Sequence, residues 1–133
     1  MAHRFTCRVY YEDTDLAGVV YYANYLRFIE RARTEFVRAQ GLDQKALREQ
    51  GLVFVVTRIE ADYLRPARFE DDLTIITTPL TATGVRLTLS QNVLRSEELL
   101  FRSVITLAAM SPAGKPMRLP VELTRDVSAG SSF

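Results

Sequence analysis

The spacing of hydrophobic and polar positions changes once near the start of this chain. Residues 4 to 11 mix β-branched and aromatic side chains with polar ones in a rough period of two, which predicts a first strand. From about residue 22 to residue 39 the period becomes helical, with the apolar side chains inside an arc of about 100° and charged ones opposite. The apolar positions are Tyr25, Phe28, Ile29, Ala32 and Phe36, and the charged ones are Arg27, Glu30, Arg31 and Arg38.

The remaining chain reads mainly as strands. A short helical stretch from Asp43 to Gln50, with Asp43 as its cap, comes first. Four segments then show the alternation of strands, and polar or glycine- and proline-containing turns separate them. These segments are residues 53–63, 73–79, 85–93 and 99–110. The last residues, from about 121 to 133, are expected to be a partly disordered tail.

One long helix that follows a first strand and precedes a run of strands predicts the α+β class in a single domain, residues 1–133. The simplest packing wraps a twisted antiparallel sheet around one long central helix, whose apolar stripe is buried in the concave face. Such a sheet leaves an edge or a face exposed. Dimerisation is an economical way to cover it.

Composition excludes several classes of protein. The net charge of +1 argues against a dedicated nucleic-acid binder. Cys7 is the only cysteine, which rules out an internal disulfide and a four-cysteine zinc site. There is no transmembrane run of about 18 apolar residues and no signal-peptide core, so we expect a cytoplasmic protein that needs no metal and no cofactor.

The densest polar cluster precedes the long helix. Glu12, Asp13, Thr14 and Asp15 lie just before Gly18. A helix N-terminus offers free N–H groups and a partial positive charge, where a carbonyl oxygen can bind. A carboxylate in the same loop can attack that carbonyl or activate water. From the spacing alone, the acids can equally be ordinary loop residues or partners of the helix dipole.

Two further stretches make the cluster recognisable. Residues 10–26 resemble the signature of the 4-hydroxybenzoyl-CoA thioesterase family, whose pattern D-x-x-G-[VI]-V-x-x-x-N-Y-x-x-[FW] runs here from Asp15 to Phe28. Residues 30–36 and 63–73 look most like its branch of Tol-Pal-associated acyl-CoA thioesterases. The resemblance covers roughly residues 5 to 120.

This resemblance implies a hot-dog fold that assembles as homodimers, often as tetramers of two dimers, with the active site between two subunits. The expected reaction is hydrolysis of an acyl-CoA or acyl-carrier-protein thioester. The family's catalytic carboxylate falls on Asp15, as nucleophile or general base, and its carbonyl-polarising backbone N–H falls on Tyr22. Gly18, Val19 and Tyr25 are the expected binding positions beside them. A non-catalytic acyl-binding module associated with an envelope complex is the alternative.

One position departs from the residue pattern of this branch, and the other candidate sites rest on weaker signals. Tyr22 stands where the Tol-Pal-associated branch usually carries histidine, although the founding enzymes tolerate tyrosine. Arg86 and Lys115 are candidates for contacts to the CoA phosphates, by charge and loop position. His3 is the only histidine, which disfavours both a Ser-His-Asp triad and a histidine-dependent dehydratase. The sequence leaves the acyl group and its carrier open.

Overall fold

The computed structural model describes residues 2–130, apart from the side chains of residues 126 and 128–130. Five strands and three helices follow one another along these residues. The order is β1 (His3–Arg8), α1 (Asn24–Ala39), α2 (Gln44–Glu49), β2 (Val53–Tyr63), β3 (Asp72–Thr83), β4 (Arg86–Arg95), β5 (Glu98–Met110) and α3 (Val121–Gly130).

The strands form one antiparallel sheet in the order β1-β3-β4-β5-β2. Two short turns make hairpins of β3–β4 and β4–β5, while α1 and α2 separate β1 from β2 in the chain. Strands β1 and β2 are therefore the two edges. Pairing of β2 with β5 sets Tyr63 opposite Phe101 and Val53 opposite Met110, with a bulge between Val56 and Arg58.

Helix α1 buries its apolar stripe against this sheet. Six of its residues are buried, among them the five apolar positions expected from the helical period. Alternate residues of β3, β4 and β5 face the same cluster and are almost fully buried: Leu73, Ile75, Leu87, Leu89, Val93 and Ile105. A sheet that buries one face against a central helix is the expected hot-dog arrangement of the α+β class, and that prediction is confirmed.

The structure differs from the prediction at the end of β1 and agrees with it at the start of α2. The first strand ends at Arg8, and Tyr11–Asp13 form a 3-10 turn in place of its predicted end. The Asp13 carboxylate accepts a hydrogen bond from the Tyr10 N–H at 2.8 Å, which satisfies the start of that turn. The Asp43 cap is confirmed, since its side chain accepts from the Lys45 N–H at 2.9 Å.

Residues 121–130 of the tail that was expected to be partly disordered form the helix α3. Leu119 and Leu123 are only 5% and 3% exposed, so this segment buries apolar surface against the core. The helix packs on β3. Sequence reasoning weighed the small polar residues at the end of the chain and overlooked this pair of leucines. Residues 131–133 of the expected tail lie outside the described residues.

The outer edge of the sheet at β2 is open. Its residues from Val55 to Tyr63 are all exposed, although the strand is paired with β5 along its length. Several of these side chains are apolar, which is unusual for an edge strand that faces water. Among the described residues, no helix is both long enough and apolar enough to cross a bilayer.

Candidate active site

Asp15 begins a tight turn between β1 and α1. The Gly18 N–H donates to the Asp15 carbonyl at 3.0 Å, and the Asp15 N–H donates to the Val19 carbonyl at 2.9 Å. Gly18 has φ +80°, a conformation that glycine adopts without the steric cost of a side chain. A bridge between Thr14 and Val20 closes the turn. The glycine therefore serves the backbone path of a three-residue hairpin loop.

The two aspartates of the loop have different tasks. Asp13 is a structural residue: its carboxylate caps the 3-10 turn, and its carbonyl accepts from the Tyr21 N–H and the Asn24 side chain, both at 2.9 Å. Asp15 is exposed, and its Oδ1 accepts from the Ala17 N–H at 2.9 Å. None of the described residues hydrogen-bonds to its Oδ2. Of these two aspartates, Asp15 is therefore the one whose carboxylate keeps a free oxygen among the described residues.

A free N–H donor lies at the start of helix α1. Of the N–H groups around it, those of Tyr21 and Asn24 donate to Asp13 and Tyr21, while the Ala23 N–H has no acceptor among the described residues. The Tyr22 N–H finds no acceptor among the described residues. At a helix N-terminus such a donor adds to the partial positive charge of the helix dipole. It is suited to bind a carbonyl oxygen or an oxyanion.

A cavity of about 290 Å³ opens between this loop, the start of α1 and the end of β2. Its lining is mostly apolar and consists of Val19, Val20, Tyr22, Tyr25, Tyr63, Leu64, Arg65 and Pro66. Three of the residues expected at the site, Val19, Tyr22 and Tyr25, line the cavity directly. Asp15 and Gly18 belong to the same hairpin as Val19 but are not among the lining residues.

Aromatic side chains form one wall of the cavity. The Tyr25 ring stacks on Phe101 with centroids 5.0 Å apart, and its hydroxyl accepts from the Ala67 N–H at 3.0 Å. Tyr63 meets the same two rings edge-on. Burial raises the pKa of both Tyr25 and Tyr63, so both hydroxyls stay protonated at neutral pH. Sequence reasoning missed Tyr63, because no pattern relates it to residues of the helix start.

Ion pairs hold the loop that forms another wall, between β2 and β3. Arg95 reaches Asp71 and Glu98, each at 2.7 Å, and also donates to the Pro66 carbonyl at 3.3 Å. Arg65 shares the Glu98 carboxylate at 3.2 Å. Because several charges share partners, this network restrains the loop more than an isolated surface pair does.

Arg86 and Lys115 do not join the site within one chain. Arg86 begins β4, opposite Ala108 near the end of β5, and Lys115 lies in the loop beyond β5. The cavity lies at the other end of the sheet, where β4 ends at Arg95. A strand of this length spans about 30 Å at about 3.3 Å per residue. These two residues can approach Asp15 only from another chain.

The chain is similar to known proteins over most of its length. The family model described as the thioesterase-like superfamily matches residues 9–127. The acyl-CoA thioester hydrolase YbgC of Escherichia coli O6:H1 is 38% identical over 125 residues, which cover 92% of this chain and 93% of that protein. The acyl-CoA thioesterase YbgC of Haemophilus influenzae is 39% identical over 121 residues, with 90% and 89% covered.

A solved structure is similar in both fold and sequence. The crystal structure of a probable thioesterase from Bartonella henselae superposes with a TM-score of 0.86 at 40% identity, covering 90% of this chain and all of that one. The 1,4-dihydroxy-2-naphthoyl-CoA thioesterase from Synechocystis, at 22% identity and a TM-score of 0.87, shares the fold. The chain is therefore a hot-dog enzyme that belongs to the thioesterase-like superfamily.

Proposed function

We propose that the chain is an acyl-CoA thioesterase, which hydrolyses the thioester of an acyl-CoA to the free acid and CoA. The observation that carries the proposal is the placement of two unsatisfied groups at one cavity. The Asp15 carboxylate keeps a free oxygen in the hairpin whose Val19 lines the cavity, and Tyr22, whose N–H has no acceptor among the described residues, is itself a lining residue. The names of the YbgC relatives support acyl-CoA as the substrate.

The two groups have complementary roles in the reaction. The thioester carbonyl accepts a hydrogen bond from the Tyr22 N–H, and the helix dipole stabilises the negative charge that develops on its oxygen. Asp15 either attacks the carbonyl carbon to form an anhydride that water then hydrolyses, or takes a proton from the attacking water. In both routes the C–S bond breaks and CoA leaves as a thiolate. Neither route uses a cofactor.

The acyl group fits the apolar part of the cavity. Val19, Val20 and Leu64 supply aliphatic surface, and the Tyr25 ring supplies an aromatic one. The volume of about 290 Å³ is at the lower end of ligand pockets. In a single chain this space favours a short aliphatic or a single-ring acyl group.

We further propose a homodimer that pairs the two β2 edges around a two-fold axis. Val55, Val56 and Ile59 are 39%, 38% and 40% exposed on that edge, and pairing removes this apolar surface and the unpaired edge from water. The tetramer and the cytoplasmic location stay predictions from the sequence.

This pairing also accounts for Arg86 and Lys115. Two-fold pairing of β2 edges is antiparallel, so the start of the partner's β2 lies beside the end of this chain's β2. The start of β2 is at the same end of the sheet as the loop after β5. The partner's Arg86 and the partner's Lys115 then come to the end that holds Asp15, where they can bind the CoA phosphates.

A panel of acyl-CoA esters, with free thiol release as the readout, tests the proposal. We expect hydrolysis of at least one short-chain or aromatic ester, and little hydrolysis by Asp15→Asn. The same acyl groups on acyl carrier protein separate the two carriers. Binding of the esters by the wild-type protein without any thiol release would contradict the enzyme assignment and favour the acyl-binding module.

A further inference from the structure

Tyr63 ends β2 and reaches across the cavity to the start of helix α1. Its hydroxyl donates to the Tyr22 carbonyl at 2.9 Å, a contact between residues 41 positions apart in the chain. Tyr22 precedes the first helical residue, Asn24, and no backbone N–H among the described residues donates to its carbonyl. Within the described part of the chain, the Tyr63 hydroxyl is therefore the hydrogen-bond partner of the Tyr22 carbonyl.

The peptide group before Tyr22 carries the free Tyr22 N–H and is held at its other end, where the Tyr21 carbonyl accepts from the Asn24 N–H at 2.8 Å and closes a turn. The peptide group after Tyr22 carries its carbonyl and the Ala23 N–H, and no backbone hydrogen bond among the described residues reaches either of these two. A donor that stabilises an oxyanion works only when its direction is fixed before the charge develops. The central peptide of the turn over residues 21–24 is the one that carries the Tyr22 carbonyl. Without the Tyr63 hydroxyl this peptide can reorient at small cost, which disturbs the turn and the aim of the Tyr22 N–H.

The Tyr63 ring is itself held firmly. It meets Tyr25 at 5.4 Å and 83°, and Phe101 at 5.0 Å and 71°, and its backbone is paired opposite Phe101 in the sheet. Edge-to-face contacts of this kind are favourable for aromatic rings. The Tyr22 ring also meets it edge-on at 6.2 Å. The hydroxyl thus projects from a rigid platform that belongs to the sheet and not to the loop.

We propose that Tyr63 is a positioning residue of the thioesterase reaction, whose hydroxyl holds the Tyr22 backbone so that the Tyr22 N–H points at the thioester carbonyl. This inference rests on the proposed function. Burial keeps the Tyr63 hydroxyl protonated by raising its pKa, so it remains a donor at neutral and mildly alkaline pH.

Tyr63→Phe tests the proposal, because it keeps the ring contacts and removes only the donor. We expect kcat to fall about ten-fold, equivalent to about 1.4 kcal/mol of transition-state stabilisation, while KM changes by less than about two-fold. Tyr11→Phe is the matched control. Tyr11 is 81% exposed, and its hydroxyl has no hydrogen-bond partner among the described residues. Its kcat should equal that of the wild type.

A second measurement needs no turnover. The ¹⁵N–¹H resonances of Tyr22 and Ala23 should shift or broaden in Tyr63→Phe and stay in place in Tyr11→Phe. The proposal requires both the kcat loss and this local change. An unchanged kcat, an effect on KM alone, or a kcat loss with an unmoved Tyr22 amide would each overturn it.

Different results would contradict the proposed function and the positioning role of Tyr63. If Asp15→Asn hydrolyses acyl-CoA as fast as the wild type, the catalytic assignment fails, and the amide spectrum still decides whether Tyr63 holds Tyr22. If Asp15→Asn is inactive and Tyr63→Phe is fully active, the proposed function stands and the positioning role is wrong.

Discussion

The Oδ1 atom of Asp15 accepts a hydrogen bond from the Ala17 N–H at 2.9 Å, within the turn that the aspartate begins. This bond orients the carboxylate and leaves its second oxygen free among the described residues. An amide oxygen can accept the same bond. The chemistry of this position can therefore be changed without changing the turn that supports it.

Asp15→Asn should keep the fold and lose most turnover. Asparagine is nearly isosteric and preserves the bond to Ala17, but it can neither attack as a carboxylate nor take a proton. We expect kcat to fall by roughly 10² to 10⁴. Thiol release from a good acyl-CoA substrate measures the loss, and circular dichroism checks the fold.

Glu12→Gln provides the control, since Glu12 is an exposed acid of the same loop with no hydrogen bond from its side chain to the described residues. It removes one negative charge near the site, as the aspartate variant does. Nearly full activity is expected. An equal loss in both variants would mean that the charge of the loop matters and that Asp15 has no special role.

Substitutions of Tyr22 distinguish a catalytic role of its side chain from a role of its backbone N–H. Tyr22→Phe should retain most activity, because the proposed donor is the main-chain N–H. Tyr22→Pro should be far less active, because proline has no N–H and restricts the residue before it. Steady-state kcat of both variants, with thermal unfolding as the check on folding, gives the answer. Comparable damage from the two substitutions would argue against the backbone assignment.

The elements of the fold could be predicted from the sequence because their periods are regular. The stripe of α1 and the alternation of β2 to β5 gave their positions to within a few residues. Helix α3 could not be predicted so easily: it is short, ends in small polar residues, and depends on Leu119 and Leu123 reaching the core. The helix therefore depends on the burial of these two leucines in the tertiary structure, which the local composition of the segment does not reveal.

The site could be predicted in part, because a motif carries local information. Asp15, Gly18, Val19, Tyr22 and Tyr25 lie within one short stretch; Val19, Tyr22 and Tyr25 line one cavity, and Asp15 and Gly18 lie in the hairpin that also carries Val19. Tyr63 was missed because its contact with Tyr22 depends on the strand register. Arg86 and Lys115 were chosen by charge and loop position, which do not tell which end of the sheet lies near Asp15.

A buried polar cluster beneath α1 should contribute strongly to stability. The Gln91 side chain is fully buried; it donates to the Ile29 carbonyl and the Thr77 hydroxyl, both at 2.9 Å, and accepts from Arg33 at 2.8 Å. Burial lowers the pKa of Arg33, which has no carboxylate within ion-pair distance in the described chain. Gln91→Leu leaves these partners unsatisfied and should cost about 2–4 kcal/mol in urea unfolding.

A double-mutant cycle separates this effect from lost packing. Arg33→Met removes the partly buried charge, so adding Gln91→Leu to it should cost less than Gln91→Leu alone, by about 1 kcal/mol or more. Arg31→Met, on the exposed side of the helix, is the control for loss of an arginine. Additive free energies of unfolding would show that the two side chains act independently.

Cys7 should make the protein less stable in alkali. Burial raises the pKa of its thiol to about 11, whereas an unfolded thiol ionises near 8.5. Since the folded protein favours the neutral thiol, the contribution of Cys7 to the free energy of unfolding is complete below about pH 8.5 and is lost as the pH rises to about 11. Because the thiol is only half-buried, we expect the loss to be about 1–2 kcal/mol.

Cys7→Ala should remove this part of the pH dependence. The unfolding free energy of both proteins, measured under reducing conditions between pH 7 and pH 10, gives the difference directly. The raised pKa values of Tyr25 and Tyr63 also lower alkaline stability, but they do so equally in both proteins. Parallel pH curves for the two proteins would contradict the assignment to Cys7.

The proposed dimer should depend on the apolar edge of β2. Ile59 is 40% exposed in the single chain and lies on that edge, opposite Ile105 of β5 on its inner side. Ile59→Lys places a charge where two strands should meet, so the dimer dissociation constant should rise at least about ten-fold, or about 1.4 kcal/mol. Light scattering at micromolar concentration should give about twice the chain mass of 15.1 kDa for the wild type.

Activity and assembly should then fall together. A thioester in a site open to water is polarised weakly by the helix N-terminus, because the high dielectric screens the field. A partner chain excludes that water and, in the proposed geometry, supplies the phosphate contacts. Thr6→Lys changes an exposed residue of the other edge strand, β1, and should leave both mass and kcat unchanged. A monomer of Ile59→Lys that hydrolyses acyl-CoA at the wild-type rate would refute a site shared between two chains.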